Sequence, residues 1–237
     1  MGQCLATLLQ GNCEVTICSR DVRKAAKIAS RYGCCASNLG DCSDQEIAIL
    51  AVPTGALVET AGSIAGIMPV GSLVMDISSV KCGVIDKVQK ATAGRVNYVS
   101  IHPLFNTPRA RTKNTLLVPV NPGSWVPPLT DLLEKSGMRV TEVQAEEHDR
   151  IMAAVQVTHH FALLSLNSSL YEMGYPDRRS LDPYLTNSLA KTLRTIESLD
   201  RNGDTISMIQ KCNPFARFAR KKFMEKALEL DRRLSAH

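Results

Sequence analysis

Several things are missing from this 237-residue sequence. No apolar run approaches the ~18 residues that a membrane span needs, and the first residues lack the charged n-region and long h-region of a secretory signal. Those two absences point to a cytoplasmic protein with no membrane partner. The eight cysteines never form a C-x-x-C pair, and seven of them (Cys4, Cys13, Cys18, Cys34, Cys35, Cys42 and Cys82) lie in the N-terminal part, mostly in segments that read as helix or strand. Reduced packing residues are therefore expected rather than a disulfide frame or a zinc site; the adjacent Cys34 and Cys35 suit a redox sensor, but nothing near them supports one. No metal site, internal repeat or low-complexity stretch is found. The formal charge of +5 is spread widely and is denser only at Arg217, Arg220, Lys221 and Lys222. Without a recognition motif that patch reads as a solvated helix face, not a nucleic-acid surface. Basic pockets for a small anionic substrate remain compatible with it.

With 44% hydrophobic and 22% charged residues, the chain can bury one good core or two modest ones. From Gly2 to about Val143, short Val- and Ile-rich runs alternate with amphipathic segments: residues 14–19, 46–53, 72–78, 96–103, 114–120 and 138–143. Runs of this kind bounded by Gly, Pro and Asp are what buried parallel strands look like when helices cover both faces. The expected fold class is α/β, a Rossmann-like doubly wound parallel sheet, followed by an all-helical C-terminal domain. From Glu146 onward no convincing strand is seen, and Pro176, Pro183, Asn202-Gly203 and Pro214 divide the rest into four or five helices. The expected domains are residues 1–143 (dinucleotide-binding) and 144–237 (helical, substrate and dimerisation).

In such a fold the last glycine of a G-x-G-x-x-G loop opens the first helix, where free N–H groups meet a pyrophosphate. Gly2 fits that position, with QCLATLLQ as the helix. The first strand and the earlier glycines have no counterpart ahead of it. Roughly ten residues are thus expected to be unaccounted for, with Met1 an internal methionine. Where an acidic residue would grip the adenosine ribose, the sequence has Ser19-Arg20; this leans toward NADP over NAD, though Arg20 equally suits a cap or a stack on adenine. Val52, Pro53 and Thr54 form a strand-end edge where cofactors lie in this fold. Asp76, Ser79, Lys81 and His102 fall on the same rim of carboxyl ends. Singly, Ser79 reads as a helix cap, Lys81 as solvated and His102 as a core histidine; their clustering on the ligand rim argues for a site.

DISSVK (76–81), then IHPLF (101–105), then EEHDRIMAAVQVTHHF (146–161) opening a helical region together resemble the prephenate and arogenate dehydrogenase family of tyrosine biosynthesis. The likeness runs from Gly2 to about Phe161, with an echo in NPFARFARKKF (213–223). The resemblance implies oxidative decarboxylation of a cyclohexadienol, with hydride passing to NAD(P). His102 is then the partner of the C4 hydroxyl and Ser79 the serine that orients it beside the nicotinamide. Lys81 braces the loop or meets the anionic substrate.

On a helical wheel from Glu146 to about Leu170, at ~100° per residue, His148, Ile151, Met152, Val155 and His159 share an apolar stripe with Ala162, Leu163, Leu166 and Leu170. Asp149, Gln156, His160 and Asn167 form a polar stripe beside it. His148 and His159 read as structural. The resemblance makes His160 the substrate-site histidine, with Gln156 beside it. A dicarboxylate calls for a bidentate Arg; Arg194 is the leading candidate, with Arg217 and Arg220 as alternatives. The sequence departs from the family at Tyr184-Leu185, where a Tyr-Arg pair is common, and at Asn106, where Gly is common. The resemblance further implies a homodimer through the helical domain. Prephenate is the expected substrate because no extra acidic residue stands in the motifs to receive an amino group. Arogenate is the alternative, and an inactive homologue acting as a dimeric binding module is the reading from another class.

Overall fold

The computed structural model describes residues 1–41, 43–92 and 94–236, so Cys42 lies outside the described residues. The chain forms two compact units, Met1–His148 and Asp149–His237. The fold is α/β with a Rossmann-type sheet followed by helices, as its composition pattern predicts.

In the first unit, β3 (Ile47–Leu50), β4 (Leu73–Asp76), β5 (Asn97–Pro103), β6 (Asn114–Asn121) and β7 (Arg139–Glu142) form one sheet in that order. Alternation decides which side chain goes to which face. Leu73 and Met75 pack with Val99, Ile101 and Leu117 against Leu5 and Leu9 of α1 (Gly2–Leu9) and Leu129 and Leu133 of α5 (Val126–Lys135). Val74 and Tyr98 turn the other way, onto Leu57, Ala61, Ile64 and Ala65 of α3 (Thr54–Ile67) and Val88 of α4 (Ile85–Thr92). Each fully buried side chain of this size stabilises by ~1.5–3 kcal/mol. Helices on both faces explain why every residue of β4 is buried and why its sequence is an unbroken apolar run up to Asp76.

Two features differ from the expected all-parallel sheet. β5 and β6 pair antiparallel, with His102 opposite Leu116. Only residues 104–113 separate these strands, and they hold no helix to make the crossover a parallel return requires. The second feature lies at the other edge. β1 (Thr16–Cys18) pairs only with β2 (Cys35–Ser37), a short strand without branched residues that gives no sequence signal, and the two make a separate sheet. β3 is accordingly an edge strand of the larger sheet, and Ile47, Ala48 and Ile49 are only half-buried. Between β1 and β2, α2 (Val22–Tyr32) starts where the Asp21 carboxylate accepts the Lys24 N–H. It stops at Gly33, whose φ of 64° is the left-handed conformation that glycine tolerates.

The cysteines depart in part from the packing role. Cys4 is buried, whereas Cys13, Cys35 and Cys212 are exposed, and no disulfide links the described cysteines. Burial pushes the Cys4 and Cys34 thiols up, which keeps them protonated and poorly nucleophilic.

Among the described residues, the second unit is entirely helical. α6 (Ala145–Met152) runs across the division and leads into a π-helical segment, Ala153–Thr158, before α7 (His159–Glu172). A short 3-10 segment, Arg178–Tyr184, precedes α8 (Asn187–Asp200), α9 (Gly203–Cys212) and α10 (Ala216–Leu234). The π segment overturns the uniform wheel. Its wider turn changes the residue spacing: Val157 is buried, while Val155 and His159, expected on the packed stripe, are exposed, as is Ile151 just before the segment. Its ends are pinned by the Thr158 hydroxyl donating to the Ala153 carbonyl at 3.1 Å and by Gln210 Nε2 donating to the Val157 carbonyl at 2.9 Å. Among the described residues, no helix is long and apolar enough to cross a membrane.

Candidate active site

The carboxyl end of β4 and β5 carries a buried polar network. Asp76 ends β4 opposite Ser100, fully buried. The Tyr98 hydroxyl donates to its Oδ2 at 2.6 Å and the Ser78 N–H to its Oδ1 at 2.7 Å. Burial alone pushes the Asp76 carboxyl up, but the Lys81 ammonium and hydrogen bonds from Ser100, Ser78 and Tyr98 outweigh it and hold it below the usual carboxylate range. The same burial and the Asp76 charge drive the Tyr98 phenol far up, so it stays a donor.

Lys81 is 0% exposed. Its Nζ donates to the Ser78 carbonyl at 2.8 Å, the Ser100 hydroxyl at 2.6 Å and the Ile101 carbonyl at 2.8 Å. It thereby fastens the loop after β4 to the end of β5. A buried ammonium with these partners braces the loop; the alternative expectation, that Lys81 reaches out to substrate, does not match this geometry. Ser79 is half-buried in the same loop.

His102 follows immediately along β5 and is 4% exposed. Burial first, then the Lys81 charge and then His148, hold its imidazole well below the ordinary value of 6.5, so it is neutral throughout the physiological range. Its Nδ1 lies 2.9 Å from Nε2 of His148 on α6, with ring centroids 5.1 Å apart. His148 is fully buried. The sequence treats it as structural because 46 residues separate the two histidines, and periodicity on one helix carries no information about such a partner.

The nucleotide end is assembled from the same rim of unit 1. Gly2 opens α1 so close to the end of β3 that an added Cβ would come 2.8 Å from the Cβ of Ala51. This close approach is what the last glycine of a dinucleotide fingerprint permits. No side chain caps α1 and no acidic residue stands in its first turn, so its leading N–H groups suit a phosphate. Val52 and Pro53 are exposed and Thr54, half-buried, opens α3. Ser19 and Arg20 follow β1; Ser19 Oγ accepts from the Asp21 N–H and Arg20 is exposed. Asp21, the nearest acid, is taken up as the α2 cap.

The remaining candidates belong to the second unit. Gln156 lies in the π segment, half-buried. His160 starts α7, and burial, then His159, pushes its imidazole down to about 4; its Nδ1 is buried with no hydrogen-bond partner among the described residues. Arg194 is exposed on α8, turned away from the Leu193, Ile196 and Leu199 face. Of the alternatives, Arg217 is exposed, whereas Arg220 Nη1 is held by the carbonyl and Oε1 of Gln210 at 2.6 and 3.1 Å. Among the described residues, no group of three or more acidic, His or Cys side chains is placed to hold a metal ion.

The family model "Prephenate dehydrogenase, nucleotide-binding domain" matches residues 5–141. A probable arogenate/prephenate dehydrogenase of Methanocaldococcus jannaschii is 28% identical over 173 residues, 70% of this chain and 39% of that protein. A 4-amino-4-deoxyprephenate dehydrogenase of Streptomyces pristinaespiralis is 30% identical over 129 residues, 54% of this chain and 43% of that protein. The chain thus spans about two fifths of the length of these curated relatives. Among solved structures, Aquifex aeolicus prephenate dehydrogenase in complex with hydroxyphenyl propionate and NAD+ superposes with a TM-score of 0.81 at 17% identity. The match covers 99% of this chain and 87% of that one. Synechocystis arogenate dehydrogenase gives 0.73 at 17% identity, with the same coverage. At these identities the structural matches establish the fold.

Proposed function

The chain belongs to the prephenate dehydrogenase family through its nucleotide-binding domain, and from that premise we propose that it is an NAD(P)-dependent dehydrogenase that oxidatively decarboxylates prephenate to 4-hydroxyphenylpyruvate. The observation that carries this reading is His102, a buried imidazole kept neutral at the carboxyl end of β5. A neutral imidazole takes a hydroxyl proton near pH 7.

Gly2 and the start of α1 would hold the pyrophosphate, Val52, Pro53 and Thr54 the adjoining edge, and Ser19 and Arg20 the ribose end. The exposed Arg20 beside Ser19 supports NADP over NAD, because a guanidinium suits a 2'-phosphate. When bound, the nicotinamide supplies the hydride acceptor. His102 takes the C4-hydroxyl proton as hydride leaves C4, and Ser79 orients it. Loss of the ring carboxylate as CO2 returns its electron pair to the ring, and the phenol oxygen recovers the proton from His102. Because aromatisation drives the step, the protein's work is positioning and the holding of anions. His160, with an unpartnered buried nitrogen, Gln156 and Arg194 are the substrate-binding groups of the helical unit. α10 buries only Ala216 and exposes Phe218, Met224, Leu228, Leu230 and Leu234, which supports a homodimer through the helices.

Purified protein is mixed in turn with prephenate, arogenate and 4-amino-4-deoxyprephenate, each with NAD+ or NADP+, and reduced nicotinamide is followed. Turnover of prephenate with release of CO2 is expected. Faster turnover of arogenate moves the substrate to the amino acid. A folded dimer that binds and reduces neither cofactor would make the chain a binding module.

A further inference from the structure

We propose that His148 is a positioning residue that holds His102 in the tautomer with its hydrogen on Nδ1. The inference rests on the proposed role of His102 as proton acceptor. His102 Nδ1 and His148 Nε2 stand 2.9 Å apart, at hydrogen-bonding distance, and both rings are buried. A doubly cationic pair at that distance is disfavoured by burial and by like charge, and the Lys81 ammonium further disfavours a cationic His102. Two neutral imidazoles share one hydrogen between the facing nitrogens. If His148 donated it, His102 would carry its own hydrogen on Nε2 and could take up no proton there. If His102 donates it, Nε2 is the acceptor nitrogen, and only that arrangement lets His102 act on a hydroxyl.

Both partners stand on fixed backbone. The His148 N–H donates to the Gln144 carbonyl at 2.8 Å in the first turn of α6. Lys81 ties the Ile101 carbonyl, one residue before His102. The choice of a second imidazole over a carboxylate also has a chemical consequence. A carboxylate on Nδ1 would stabilise imidazolium and raise the proton affinity of His102, whereas His148 fixes the tautomer without adding negative charge. The pair makes His102 a weak base, neutral before it takes the proton and adequate for a step that aromatisation already drives.

The test reads the tautomer directly, in the full chain without substrate or cofactor, by long-range proton–nitrogen NMR on 15N-histidine-labelled protein. With five histidines in the chain, assignment by single substitutions is practical. The expected spectrum shows His102 protonated at Nδ1 and bare at Nε2, and His148 accepting at Nε2. A His102 protonated at Nε2 in the unaltered protein overturns the proposal, and this arm needs no variant to fold. In His148→Phe the His102 signals should move to a mixture of tautomers, while His148→Gln, whose carbonyl can accept, should retain the Nδ1 form. Unchanged tautomer in a folded His148→Phe also overturns it. With prephenate, His148→Phe should lower kcat about 100-fold with KM within about twofold, and His148→Gln should restore much of the loss; equal loss in both contradicts positioning. Absence of turnover in the unaltered protein with the expected spectrum defeats the enzyme reading alone, while turnover with the wrong tautomer defeats the positioning role alone.

Discussion

The two units treat their polar groups in opposite ways. In Met1–His148, Asp76, Lys81, Ser100, His102 and His148 are all buried, and they satisfy one another and the backbone at the sheet's carboxyl ends. In Asp149–His237, Gln156 and His160 are half-buried and Arg194 is exposed, on helices whose apolar residues are themselves widely exposed. The difference teaches where each set of polar groups gets its rigidity. The first network is part of the fold's stability, so its geometry is set before any ligand arrives. The second is held less tightly: the His160 Nδ1 is buried with no hydrogen-bond partner among the described residues, and Arg194 is exposed.

The sharpest way to break this contrast is Lys81→Met. The substitution leaves the Asp76 carboxylate buried without its cation. It should cost about 3–5 kcal/mol, seen as a lower urea midpoint at unchanged slope. A loss under about 1 kcal/mol would mean that the network is wet and the contrast false. Next in size comes Gly2→Ala. Its methyl would meet the Ala51 Cβ at 2.8 Å, so α1 must shift outward at about 1–3 kcal/mol. Because that shift moves the leading N–H groups, NAD(P)+ affinity in a binding titration should fall about tenfold, the equivalent of ~1.4 kcal/mol.

How much of this the sequence shows depends on the range of each interaction. The strands of the large sheet are readable from their composition because two covered faces force a continuous apolar run. The rim position of Asp76, Ser79, Lys81 and His102 then follows from topology. β2 is invisible because Cys35–Ser37 has neither branching nor alternation, and the antiparallel turn of β6 is visible only as a loop too short for a crossover. The His102–His148 pair and the Tyr98–Asp76 bond are tertiary contacts that no local pattern encodes. The π segment defeats the wheel for a different reason. One extra residue per turn leaves composition unchanged while rotating His159 outward, and only the small pair Ala153-Ala154 marks where the helix widens.

Acid should sharpen the contrast with a smaller effect. His102 and His160 both have folded values below the ordinary 6.5, so the unfolded chain takes up protons first. Their contribution to stability is complete above pH 6.5 and is lost as the pH falls toward the folded values, for His160 down to about 4. Asp76, held below 3.8, contributes stability that is present above that value and is lost as the pH falls through its folded value. Denaturation midpoints across pH 7 to 4 should therefore decline. His102→Asn should flatten that decline more than His160→Asn, because His102 is buried more completely. The reverse order would place the drier histidine in the helical unit.

The smallest effect on stability, and the most discriminating for function, belongs to Arg194→Ala. Arg194 is exposed and stands opposite the packed face of α8, so its removal should change stability by no more than about 0.5 kcal/mol. A bidentate grip on a substrate carboxylate, by contrast, contributes about 1.5–3 kcal/mol, so KM for prephenate should rise tenfold to a hundredfold with kcat little changed. Arg220→Ala supplies the opposite signature, since its guanidinium is held by Gln210. That variant should lose about 1–2 kcal/mol of stability while leaving KM near its original value. If Arg194→Ala leaves KM unchanged and Arg217→Ala raises it, the proposed carboxylate ligand moves from α8 to α10.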